Sequence, residues 1–185
     1  MPELPWRSTL LASAALVTYA VPGLAEALWL QPDTHEPWRW LTAHWVHHSP
    51  EHLLWDTAGC AAVAVALEQL APRRLLPTLL AAAVTVSAAM ALTLPHDAVY
   101  GGLSGIASAL FVAVALTLAR RPGRDRWVAG AMLVAFAAKL AAEALTGGVL
   151  FAASDGVHHA TLAHLVGGVT GALVGVPWPS ARSPT

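Results

Sequence analysis

LSGIASALFVAVALTLARRPGRDR, residues 103–126, decides the class of this molecule. Leu103 to Ala119 carries no charged side chain, and then Arg120, Arg121, Arg124 and Arg126 crowd around Pro122-Gly123. In lipid a backbone must satisfy its own N–H and C=O groups, which leaves helices and closed barrels as spanning structures. The run lacks the apolar–polar alternation of a barrel strand, so it reads as a transmembrane helix closed by a basic loop. Five other stretches read the same way, placing spans at about residues 8–30, 52–70, 75–94, 103–119, 127–145 and 159–177. Between them lie Pro72-Arg73-Arg74, Pro95-His96-Asp97 with Gly101-Gly102, the arginine-rich segment, and Gly147-Gly148 with Ser154-Asp155-Gly156. Pro177, Pro179 and Pro184 mark a short disordered tail. The chain is 56% apolar and 11% charged, against about 25% charged in soluble domains. A span needs roughly 20 residues, so six nearly exhaust the chain. The expectation is an all-α, polytopic membrane protein of six transmembrane helices in one domain, 1–185.

Basic residues orient the spans. Arg7, Arg73, Arg74, Arg120, Arg121, Arg124, Arg126 and Arg182 fall on one side if the spans alternate, and the opposite connections hold only Arg39. Both termini are therefore expected in the cytoplasm of a cell with a bacterial-type inner membrane. Ala25-Glu26-Ala27 resembles a signal-peptide cleavage site, but the apolar stretch before it is longer than a signal core and no secreted domain follows. The net charge of −1 says nothing about nucleic acid, but no basic stripe or aromatic-interleaved basic patch is present and no nucleic-acid partner is expected; a single cysteine, Cys60, excludes an internal disulfide. The tryptophans gather near the expected interfaces, as an aromatic belt requires.

Polar residues inside apolar spans point to chemistry. All nine histidines lie at or near the outer connections: His35, His44, His47, His48, His52, His96, His158, His159 and His164. His52 and Asp56 are four apart on one helix face. Ser104, in Gly102-Leu103-Ser104-Gly105, opens the fourth span, where unpaired backbone N–H groups could stabilise an oxyanion. Such a serine can equally be a plain N-cap. His164 lies near the outer end of the sixth span, inside it, and shares a face with Gly167 and Gly171, a small-residue face suited to close packing. If the neighbour is the fourth span, the histidine reaches the serine and can act as its base; otherwise it makes an interhelical hydrogen bond. Lys139 and Glu143 read as an ion pair inside the fifth span facing the bundle, or alternatively as serving substrate or proton passage. Glu68 reads as making a polar contact or facing headgroups.

These motifs together resemble the rhomboid family of intramembrane serine proteases. Gly102-Leu103-Ser104-Gly105 looks like its GxSG motif, and Ala163-His164 with Gly167 and Gly171 like its AHxxGxxxG motif. Trp38-Arg39 resembles its WR pair, and His52 to Asp56 its HxxxN motif with Asp in place of Asn. The resemblance runs from about Trp38 to Gly175, and the small size and short first outer loop look most like the rhombosortase branch. It implies a rhomboid-like bundle, Ser104 as nucleophile and His164 as general base in a dyad without a third acidic member. His52, Asp56, Gly102 and Leu103 would line the oxyanion and substrate site with the Ser104 backbone N–H. An ionised Asp56 cannot donate, so it must be protonated, paired with His52 or turned away; the favoured expectation is that it keeps His52 protonated as the donor. No cofactor or metal is implied. The implied partners are the bilayer and membrane-anchored proteins cut near the outer face, at a C-terminal Gly-Gly motif before a membrane helix and basic tail. Two other readings stand beside this one. One is a catalytically inactive, rhomboid-like binder of membrane helices. The other is a metal site or transporter built on His44, His47, His48 and His52.

Overall fold

The computed structural model describes residues 5–33, 36–148 and 160–175, and these are helical with short connections. His35, His158, His159, Ser154-Asp155-Gly156, Trp178, Arg182 and the C-terminal prolines lie outside the described residues. The helices are α1 (Trp6–Ala20), α2 (Leu24–Leu28), α3 (Arg39–Thr42), α4 (Pro50–Leu70), α5 (Pro72–Thr93), α6 (Ser104–Ala119), α7 (Arg124–Thr146) and α8 (Ala160–Val174). Helices α4, α5 and α7 are long and apolar enough to cross a membrane, whereas α6 and α8 are shorter apolar helices. At 1.5 Å per residue the 16 residues of α6 extend about 24 Å, short of a hydrocarbon core of about 30 Å.

The first expected span, 8–30, is not one helix. Proline disfavours helical backbone in the residue before it, and Val21, ahead of Pro22, is extended. Gly23 follows at φ 78°, a left-handed conformation open to glycine. The chain turns there and restarts as the short α2. The second expected span starts slightly earlier than read, at Pro50. Ser49 Oγ accepts the His52 backbone N–H at 3.1 Å, Pro50 occupies the first turn, and Glu51 sits at the positive end of the helix dipole.

Helix α6 is the middle of the bundle and touches α4, α5, α7 and α8. Its closest neighbour is α8. A Cβ on Gly167 would overlap the Gly105 carbonyl, and one on Gly171 the Ala109 carbonyl. The two backbones therefore meet directly along a small-residue face, as the sequence spacing predicts.

Polar contacts tie each end of the bundle. At one end Ser8 donates from its backbone N–H and its hydroxyl to Glu68 Oε2 at 3.1 and 2.6 Å, so Glu68 caps α1. Arg7 donates to the Pro72 carbonyl at 3.2 Å and Arg74 to the Val174 carbonyl, the last turn of α8, at 2.9 Å. At the other end Leu30 and Tyr100 form an isolated antiparallel bridge, N–H to O at 3.0 and 2.8 Å. Buried Arg39 donates to the carbonyls of Glu26 and Trp29 at 2.9 and 2.8 Å and pairs with Glu36, closing the end of α2. His44 Nε2 lies 3.0 Å from the Ala83 carbonyl and 3.1 Å from Ser87 Oγ. Ser87 Oγ donates to the Trp40 carbonyl at 2.7 Å. The segment between α2 and α4 is thus pinned to α5, at the end where α4, α6 and α8 begin.

Candidate active site

Three helix starts converge at this end. Helix α4 brings His52 and Asp56, the turn Gly101-Gly102-Leu103 leads into Ser104 at the head of α6, and α8 brings His164. The turn is built by close approach. A Cβ on Gly101 would sit 2.8 Å from the Val46 carbonyl oxygen. Gly102 holds φ 137°, which side-chain-bearing residues rarely adopt, and a Cβ there would lie 3.0 Å from His52 Nε2 and 3.1 Å from Asp56 Oδ2. Leu103 is fully buried and fixes the approach to Ser104.

Asp56 Oδ2 is a hub. It accepts the Ser104 backbone N–H at 3.1 Å and lies 3.1 Å from His52 Nε2. His47 Nε2 stands 3.7 Å away. The donors expected to face an oxyanion, the Ser104 N–H and His52, are therefore both engaged by this carboxylate. The pairing of Asp56 with His52 is the one the sequence led us to expect; the same oxygen also sits on the Ser104 N–H, because a carboxylate at a helix start finds unpaired N–H groups and a favourable dipole.

His164 is buried, and its neighbours are acidic and basic at once. Nδ1 lies 2.8 Å from Glu143 Oε2 and 2.8 Å from Lys139 Nζ, while Lys139 donates to Glu143 Oε1 at 2.6 Å. The expected ion pair of α7 is present, and it is built onto the histidine. The resemblance implied no acidic neighbour for His164; the Glu143 carboxylate is one. Carboxylate and ammonium make opposite demands on Nδ1, the first asking for N–H and the second for a lone pair. The Glu143 side chain is 0% exposed and Lys139 26%, so Lys139 has solvent and Oε1 as alternatives. The Nδ1–H tautomer, donating to Glu143, is the better satisfied, and it leaves the lone pair on Nε2.

Ser104 and His164 line one cavity of about 810 Å³, together with His52, Asp56, Trp55, Ser108 and Lys139. Its remaining wall is apolar or small, including Phe111 and Phe136. Ser108, one turn below Ser104, donates to the Ser104 carbonyl at 2.9 Å.

The rhomboid domain family matches residues 34–179 of the chain. The chain belongs to the rhomboid family. No curated protein matches it individually. Rhomboids are integral membrane proteins, typically serine proteases acting on membrane proteins within the bilayer, and inactive members exist. In this rhomboid Trp38 is half exposed and Arg39 is a buried staple of α2, so the Trp-Arg pair stands away from the cavity wall.

The four histidines weighed as a metal set in this rhomboid do not come together. His44 turns to α5, and burial holds its pKa below the usual 6.5. His48 is exposed and stacks on His52 at 6.0 Å between ring centroids. His47 does approach His52 and Asp56, and burial lowers its pKa to about 4. Sequence reasoning named two further members of the constellation but missed their partners. Glu143 was visible only as half of an i,i+4 pair, and His47 only as one of a histidine run.

Proposed function

We propose that this rhomboid is an intramembrane serine endopeptidase with Ser104 as nucleophile and His164 as general base. The carrying observation is that Ser104 and His164, from the heads of two helices in backbone contact, line the same cavity. In the reaction Ser104 Oγ attacks the scissile carbonyl and its proton passes to His164 Nε2. The histidine then returns that proton to the leaving amine as the C–N bond breaks. Water, deprotonated by the same nitrogen, releases the acyl group and regenerates Ser104. Glu143 is a positioning residue: it accepts from Nδ1–H, fixes the tautomer and stabilises the imidazolium that forms. Asp56 must yield its place before the carbonyl oxygen can reach the Ser104 N–H and His52, with Gly102 and Leu103 shaping the turn.

The proposed topology has six spans in one membrane domain, with α1 and α2 together as the first. The arginine-rich end and both termini face the cytoplasm of a bacterial-type inner membrane, and the cavity opens to the outer side. The proposed substrates are membrane-anchored proteins with a C-terminal Gly-Gly motif, a membrane helix and a basic tail, as in the rhombosortase branch. No cofactor takes part in this chemistry.

Co-expression of such a reporter with wild type, Ser104→Ala and His164→Ala tests the reading. Processing by the wild type alone is the expected outcome; equal processing in all three removes the dyad. The competing reading, an inactive helix-binding rhomboid, draws on Asp56 filling the oxyanion position. Covalent labelling of Ser104 by a fluorophosphonate decides against it, and absence of labelling decides for it.

A further inference from the structure

We propose that His47, His52 and Asp56 form a binding site for one divalent transition-metal ion of the zinc class, whose occupation closes the oxyanion site of the reaction proposed above. The binding half stands on geometry alone; the closing half rests on that reaction. One donor atom from each residue lies within 4.8 Å of the others. Asp56 Oδ2 is 3.1 Å from His52 Nε2 and 3.7 Å from His47 Nε2. Zinc bonds of about 2.0–2.2 Å to N and O ligands in tetrahedral array hold those ligands about 3.4 Å apart, so the two distances bracket the requirement.

The orientation of His47 singles out a metal rather than a simple polar network. Its Nδ1 lies 3.1 Å from the Trp45 carbonyl, which can only accept, so the ring proton sits on Nδ1. Nε2 then presents a lone pair. That atom has no hydrogen-bond partner, and the side chain is 0% exposed. A buried lone pair aimed at a carboxylate oxygen is unfavourable unless a cation lies between them. The Nδ1–H to carbonyl bond is also the usual outer contact of a metal-bound histidine. Two imidazoles and a carboxylate suit zinc and its neighbours better than calcium or magnesium. His52 and Asp56 line the cavity, which gives an ion a way in.

Occupation has a direct chemical consequence. His52 Nε2 gives its lone pair to the ion and can no longer donate to an oxyanion. Asp56, held by the ion, stays on the Ser104 N–H. Both donors of the site are then committed.

The test uses full-length protein in detergent, with Co2+ as spectroscopic probe and Zn2+ as competitor. The wild type is expected to bind one Co2+ with the ligand-field bands of a nitrogen–oxygen site. His47→Ala and Asp56→Asn should each weaken binding by about tenfold or more, and His48→Ala should not. Asp56→Asn keeps a side-chain acceptor for the Ser104 N–H, and thermal unfolding without metal checks that each variant folds. Absent saturable binding, or wild-type affinity in either ligand variant, overturns the site. Fluorophosphonate labelling of Ser104 should slow about 10²-fold or more with saturating Zn2+ and recover with chelator, as expected when oxyanion donors are lost. Labelling indifferent to bound Zn2+ overturns the closing role. No labelling even without metal overturns the proposed protease instead.

Discussion

At the scale of single residues, Glu143 is the most informative side chain. It is held between His164 and Lys139 with its carboxylate buried, and its proposed work is to keep the proton on Nδ1. Glu143→Gln can present an amide N–H to Nδ1 and favour the other tautomer. The expected loss is about 10²–10⁴ in kcat with KM little changed, by analogy with the buried carboxylate of serine protease triads. Glu143→Asp should recover part of it at high pH. A merely structural Glu143 would instead lower thermal stability and leave the pH profile of kcat in place. Asp56 works in the opposite direction. Asp56→Asn removes the charge that an oxyanion would meet and adds a donor, so kcat should rise, on the order of tenfold. A fall in kcat for a folded Asp56→Asn would show that the carboxylate takes part in turnover.

At the scale of elements, the contact of α6 with α8 carries the site, and glycine makes it possible. Gly167→Ala and Gly171→Ala place a methyl group against backbone carbonyls, which cannot swing aside. Each should destabilise the fold by about 1–3 kcal/mol or more and abolish processing by separating Ser104 from His164. Gly130→Ala in α7 is the control: its Cβ meets nothing within 4 Å, and helix propensity predicts a gain of up to about 1 kcal/mol. Unfolding in mixed micelles measures all three, and equal behaviour of Gly167 and Gly130 would refute the packing argument. The face of Gly167 and Gly171 was legible in the sequence because helical periodicity lies in one segment. The partner of His164 was not, because Glu143 and His164 meet only when α7 docks on α8. The Pro22-Gly23 break was written in the chain too, but a stretch from Leu10 to Leu30 with Glu26 as its one charged residue masked it. Asp56 was legible as a departure from the family pattern; that its oxygen would sit on the Ser104 N–H required the turn at Gly102.

At the scale of the whole molecule, the two ends differ in kind. One is sewn by Arg7, Arg74 and Glu68 to helix termini; the other is sewn by Arg39 and, besides it, by buried histidine. His44 is completely buried, and its pKa lies below the 6.5 of a free histidine because burial penalises the charged ring. The unfolded chain therefore binds a proton below pH 6.5 that the folded chain refuses. Stability is full above that pH and falls as pH drops below it, by at most about 1.4 kcal/mol per pH unit for this one group. His44→Gln keeps an N–H for the Ala83 carbonyl and should show a flatter decline of unfolding midpoint with acidification. An unchanged slope would assign the sensitivity to other groups.

The bond from Arg74 to the Val174 carbonyl, together with the seating of α8 against α5 and α6, has a consequence for how the protein is made. A ribosome releases α4, α5 and α6 well before α8. Until residues 160–174 arrive, Glu143 and Lys139 face each other without His164, and Ser104 lacks the base proposed for it. On the reaction proposed above, the nascent chain lacks a complete dyad, and hydrolytic competence would wait on the docking of α8.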